Sequence, residues 1–180
     1  NTGVSLTASN FWGYLKPSIQ GDKLAFISQG INEAYVFDFD NSTGMVTGST
    51  AITQSIGASS GYGVEFSPDG NLLYTMSYST NDVKHYDLTL ASAAAISASE
   101  VILGSSAGGG GGGALQLGPD GKLYVCRSGK NFLSVINDPN TYGTGAGYQD
   151  TAVMLNAGAT NSLGLPTFIQ SFFNVDFSYS

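Results

Sequence analysis

The sequence predicts an all-β chain: a β-propeller segment of about three four-stranded antiparallel blades plus flanking strands, part of a larger ring of about seven blades. Three observations carry this. Gly61–Thr89 alternates apolar and polar residues through three short runs broken by turn signals, the first turn being Ser67-Pro68-Asp69-Gly70. The same pattern returns about fifty residues later at Ala114–Val125, around Gly118-Pro119-Asp120-Gly121. A worn copy precedes both at Lys16–Phe26. A period of that length with several strands per unit means repetition of one small sheet. A flat sandwich is the rival, but its strands need not repeat at this spacing.

The elements follow in order. Residues 1–9 read as the end of a preceding blade, with a strand at Val4–Thr7. The blade at 10–58 takes strands Phe11–Pro17, Lys23–Ser28, Ala34–Phe39 and Ala51–Ile56, with Asp40–Gly44 as a polar hairpin loop. The blade at 59–112 takes Tyr62–Phe66, Leu72–Tyr78, Asp82–Leu88 and Glu100–Leu103. Its Ala91–Ser99 stretch reads as a loop, because no amphipathic period is present. The blade at 113–160 takes Ala114–Leu117, Leu123–Arg127, Leu133–Ile136 and Ala152–Leu155, with a long loop over Asn137–Asp150. Residues 161–175 read as the first strand of a further blade and 176–180 as an exit linker. Three blades cannot close a ring, so further blades are expected before Asn1 or on other chains.

The totals exclude some partners. The chain has 180 residues, a net charge of −7 and only six Lys and Arg. Nucleic acid and anionic membranes need clustered cations, so neither is expected. No apolar run approaches the length of a membrane span. Hydrophobic residues make up 42%, enough to fill a core. The lone Cys126 cannot form an internal disulfide.

Several segments together carry a family resemblance: GYGVEFSPDG at 61–70, ALQLGPDGKLYV at 114–125, LSVINDP at 133–139 and LGLPTFIQSFF at 163–173. Over about residues 10–173 the chain resembles the propeller region of large secreted Bacteroidetes cell-surface proteins. Those proteins carry a gliding-motility-associated C-terminal domain and leave by type IX secretion. The chain departs from the pattern at Thr167, where Asn is usual, and in its long glycine run Gly108–Gly113. The resemblance implies an extracellular location, the type IX machinery and other domains of the same long chain as partners, and surface glycans or proteins as ligands. It supplies no catalytic residue.

Candidate sites were weighed on their chemistry. The glycine run satisfies GxGxxG, but a strand rather than a helix follows it, so close backbone approach explains it better than phosphate binding. His85, the only histidine, sits mid-strand and reads as a hydrogen-bonded structural residue. Cys126 reads as a buried thiol. Asp38, Asp40 and Ser42 offer hard oxygen ligands and form the candidate calcium loop, although the spacing is not that of an EF-hand. No other cofactor is expected. Trp12, Tyr14, Tyr142 and Tyr148, with Tyr62 and Tyr78, could line a face for ligand stacking. The expected function is a non-catalytic scaffold, adhesion or recognition module. The alternatives are a propeller enzyme of the hydrolase or lactonase kind, a carbohydrate-binding module with coplanar exposed rings, and an assembly that closes its ring from other chains.

Overall fold

A computed structural model describes residues 12–55, 61–105 and 110–166. The expected strand Val4–Thr7, the ends at Phe11 and Ile56, the first glycines of the run and most of 161–180 lie outside the described residues. Among the described residues, twelve strands form three separate four-stranded sheets. The first sheet is β1 (Gly13–Pro17), β2 (Lys23–Ser28), β3 (Glu33–Asp40) and β4 (Met45–Thr53). The second is β5 (Gly61–Phe66), β6 (Leu72–Ser77), β7 (Asp82–Asp87) and β8 (Val101–Ser105). The third is β9 (Gly112–Leu117), β10 (Leu123–Arg127), β11 (Phe132–Ile136) and β12 (Tyr148–Met154). Every pairing is antiparallel, and each sheet is a simple meander.

The three copies of the turn motif close with the same hydrogen bonds. Ser18, Ser67 and Gly118 each donate their N–H across the turn, to Lys23, Leu72 and Lys122, and each carbonyl accepts from the turn glycine. Those glycines, Gly21, Gly70 and Gly121, all have φ between 71° and 76°. That region strains any residue with a Cβ, so the worn first copy kept the one residue its turn geometry required.

The core lies between sheets. Ala25, Ile27, Ala34 and Ile52 of the first sheet meet Val64, Phe66, Leu73 and Tyr86 of the second. Leu72, Tyr74, Met76 and Val83 on the other face of the second sheet meet Leu115, Leu117, Leu123, Val125 and Ile136 of the third. The middle sheet therefore buries both faces, which is why all of β6 is buried. The first sheet buries one face only. On its other face the cross-strand row Leu15, Phe26 and Tyr35 is partly open, and Leu15 is 59% exposed.

Three expectations are corrected. Ala91–Ser99 is not a loop: Ala93–Ala98 forms helix α1, capped by the Ser92 hydroxyl, which accepts from the Ala95 N–H. High alanine propensity and the cap suffice for one and a half turns, and a single buried residue, Ile96, anchors it without any amphipathic period. Strand β4 starts at Met45 rather than Ala51, and β12 at Tyr148 rather than Ala152. Both are outer strands with exposed polar residues, so ladder hydrogen bonds rather than side-chain alternation define them. A bulge at Gly48, with φ +57°, also interrupts the β4 pattern.

The first strands β1, β5 and β9 pack side by side as the inner strands. Their approach depends on glycine. A Cβ on Gly63 would lie 2.4 Å from the Gly113 carbonyl oxygen. Gly63→Ala should therefore destabilise the chain by about 1–3 kcal/mol through overpacking, read as a lower midpoint in chemical denaturation; an unchanged midpoint would contradict this packing.

Candidate functional site

The inner strands place three different polar residues at one repeat position. Lys16, Glu65 and Gln116 each stand five residues before the turn glycine of their copy, and they meet. Lys16 Nζ lies 3.2 Å from Glu65 Oε2 and donates to Gln116 Oε1 at 2.7 Å. The Glu65 carboxylate also accepts from the Phe66 N–H at 3.1 Å and the Leu117 N–H at 3.3 Å. Gln116 Nε2 donates to the Leu117 carbonyl at 3.3 Å. Relative exposures of 9%, 1% and 4% put all three in the interior. A buried charge persists only when paired and hydrogen-bonded, and here each partner comes from a different sheet.

Toward the start of the inner strands the surface becomes aromatic. Tyr14 and Tyr62 pack edge to face, with centroids 5.6 Å apart and planes inclined at 72°. Tyr62 and Tyr78 follow at 6.2 Å and 42°. The Lys16 ammonium lies 5.7 Å from the Tyr14 ring centre, within cation–π range. Trp12, 67% exposed, begins the same segment. Burial raises the Tyr14 and Tyr62 hydroxyls above their usual range. The glycine run has its reason here. A Cβ on Gly111 would lie 2.2 Å from the Tyr78 ring, and one on Gly112 would lie 2.1 Å from the Ser77 carbonyl oxygen. Bare backbone is what lets β9 lie against the tyrosines and β6.

The other sequence-proposed residues lie elsewhere. Tyr142 stacks on His85 at 5.1 Å and donates to the Ser99 carbonyl at 2.7 Å. Tyr148 packs against Gly104 and joins a network described below. The six aromatics proposed together therefore divide: Trp12 just before β1, Tyr14 in β1, Tyr62 in β5 and Tyr78 just past β6 lie toward the start of the inner strands, whereas Tyr142 and Tyr148 bind the third sheet to the second. In the candidate calcium loop, Asp40 is exposed and closes an Asx turn. Its oxygens accept from the Ser42 hydroxyl at 2.6 Å and the Thr43 hydroxyl at 2.7 Å. Those bonds, the Ser42 hydroxyl first, lower its pKa to about 2. Asp38 instead lines a cleft of about 240 Å³ with Lys23, Thr50 and Ile96. Among the described residues no three His, Cys, Asp or Glu side chains are grouped to hold a metal. Cys126 is fully buried beside Gly113, and burial pushes its thiol up to about 11.

Two networks were not legible in the sequence. Lys84, 1% exposed, donates to Glu100 at 3.0 Å and to Ser55 of the first sheet at 2.7 Å, while the Tyr86 hydroxyl donates to Glu100 at 2.6 Å. Burial alone would raise the Glu100 carboxyl, but hydrogen bonds from Ser55, Tyr86 and Lys84 outweigh it and hold the pKa below the usual value. Arg127, also 1% exposed, donates to Ser134, Asp150 and Tyr148 within 2.7 Å and to the Asn81 carbonyl of the second sheet at 3.3 Å. The only signal was a cation inside an apolar strand, and it does not name the partner.

No family model and no curated protein matches the chain. Solved structures do. Hydrazine synthase from Kuenenia stuttgartiensis matches with a TM-score of 0.51 and 19% identity, over 86% of this chain and 40% of that one. A 6-phosphogluconolactonase-like protein from Bacteroides fragilis matches at 0.50 and 17%, over 85% and 46%. The PQQ domain of pyranose dehydrogenase from Coprinopsis cinerea matches at 0.52 and 12%, over 72% and 36%. The fold is that of a β-propeller. This chain spans less than half the length of each of these proteins, and at such identities the likeness concerns the fold alone.

His85 yields a pH prediction. It is fully buried, its Nε2 accepts from the Gly143 N–H at 2.9 Å, and burial lowers its pKa to about 4. The unfolded chain takes up this proton below about pH 6.5 and the folded one only near 4, so stability falls as pH drops through that window. The slope should reach about 1.4 kcal/mol per pH unit. His85→Gln keeps an acceptor but does not titrate. Urea titrations at several pH values should show this part of the slope vanish in the variant.

Proposed function

We propose that the chain is a non-catalytic propeller segment of a secreted cell-surface protein, and that it recognises a partner through the aromatic start of its inner strands. One observation carries this: Tyr14, Tyr62 and Tyr78 pack in a row there, with the 67% exposed Trp12 two residues before Tyr14, while Lys16 and Glu65 are paired with each other and Lys16 also with Gln116. Tyr and Trp supply large amphipathic contact area and dominate binding hot spots. The ring planes are inclined at 72° and 42° rather than coplanar. Such a corner suits protein side chains better than the flat stacking of an extended sugar chain. The acidic net charge of −7 favours a neutral or basic partner surface.

Export by the type IX machinery, attachment to further domains of a long chain, and a part in adhesion or gliding complete the reading. They are supported by the resemblance at residues 61–70, 114–125, 133–139 and 163–173. No described helix is long and apolar enough to cross a membrane.

Trp12→Ala in the full-length protein should reduce adhesion of the producing cells, and weaken binding to the isolated partner by about tenfold or more, the range of a hot-spot aromatic. Circular dichroism should be unchanged, since Trp12 is 67% exposed. Adhesion equal to that of the unaltered strain would remove the aromatic corner as the binding surface. Retention of the protein inside cells lacking the type IX machinery tests the export reading separately.

A further inference from the structure

We propose that Lys16 and Gln116 become joined by an intramolecular isopeptide bond, formed without any other catalyst by the Glu65 carboxyl group. The structure brings the amide and the carboxylate within hydrogen-bonding reach of the same amine. The amine nitrogen is 2.7 Å from the oxygen of the amide it would attack. The Glu65 carboxylate is 3.2 Å from the same nitrogen and is held by the backbone N–H groups of Phe66 and Leu117. The amide nitrogen that must leave is oriented by its hydrogen bond to the Leu117 carbonyl. Fixed proximity of this kind replaces a bimolecular encounter and removes much of the entropic barrier to amide exchange.

Burial supplies the second requirement. Exposures of 9%, 1% and 4% for Lys16, Glu65 and Gln116 keep bulk water from the carbonyl carbon, so the amine does not compete with hydrolysis.

The step balances within the chain. A proton passes from Lys16 Nζ to Glu65, and the freed lone pair attacks Cδ of Gln116 to give a tetrahedral carbon. Glu65 then gives its proton to Nε2 and takes one from Nζ. The C–N bond to Nε2 breaks and the carbonyl reforms. The ammonium charge of Lys16 departs as ammonium ion, and Glu65 ends as it began. No oxidant, metal or co-reactant is consumed. The new bond would close a loop between positions 100 residues apart and tie the first sheet to the third across the second. A module on a cell surface would then resist forced separation of its blades.

The test is mass spectrometry of the native full-length polypeptide after denaturation and trypsin digestion. The Lys16–Pro17 bond is not cut, so Lys16 remains in the peptide that ends at Lys23, while Gln116 lies in His85–Lys122. The expected result is one species containing both peptides, lighter than their sum by one ammonia, with fragment ions that place the link at Lys16 and Gln116. Glu65→Gln and Lys16→Arg should each abolish that species. Recovery of the two peptides separately, in full yield and with Gln116 an intact amide, would overturn the proposal. That outcome is readable on the unaltered protein even where a variant fails to fold. A linked species that persists at the same yield in Glu65→Gln would overturn the role of Glu65.

Discussion

A four-stranded sheet of this chain carries apolar side chains on a face it cannot cover by itself, and the rest of the structure follows from how that face is buried. The second sheet shows the requirement in full. Leu73 and Phe66 go into one interface, Leu72 and Met76 into the other, and β6 is closed to solvent along its whole length. Burying such side chains contributes about 1.5–3 kcal/mol each. Stacking of sheets is therefore the main source of stability, and the short strands have little standing alone. The first sheet, covered on one side only, leaves Leu15 and the stacked pair Tyr35–Phe37 partly open.

Close stacking at the inner strands imposes a second condition. Backbones can approach there only where side chains are missing, and Gly63, Gly111, Gly112 and Gly113 meet that condition by contact with neighbouring backbone and tyrosine rings. Those glycines in turn leave polar backbone close to buried side chains. Three ion pairs then add polar contacts to the apolar packing. Lys16 with Glu65 joins the first and second sheets, whereas Lys84 with Glu100 lies within the second and reaches Ser55 beyond β4, and Arg127 with Asp150 lies within the third and reaches the Asn81 carbonyl. Removing one member of such a pair leaves an uncompensated buried charge, which costs more than the intact pair contributes.

The inner-strand cluster links structure to the functional reading. Its charges are turned toward one another, whereas the row Tyr14, Tyr62 and Tyr78 beside Lys16 keeps part of its surface open. His85 is likewise buried. Its imidazole is held neutral between Tyr74 and Tyr142 and serves as an acceptor for the loop of the next sheet.

The repeat and its turns were legible from the sequence alone, because these tight turns place glycine at positive φ and favour proline two residues before it, whatever surrounds them. Inner and middle strands were legible for a similar reason: burial on one or two faces writes itself as alternation or as an apolar run. The starts of the outer strands β4 and β12 and the helix α1 were not, since backbone ladders and a serine cap leave no hydrophobic period. The candidate site was half legible. Tyr14 and Trp12 could be named, but their separation from Tyr142 and Tyr148 could not. The meeting of Lys16, Glu65 and Gln116 was likewise hidden, although they share one repeat position. Local sequence determines the conformation of each unit and its apolar faces. Which side chains meet is decided by how the units rotate against one another, and that rotation is set by long-range packing that no short stretch of the chain contains.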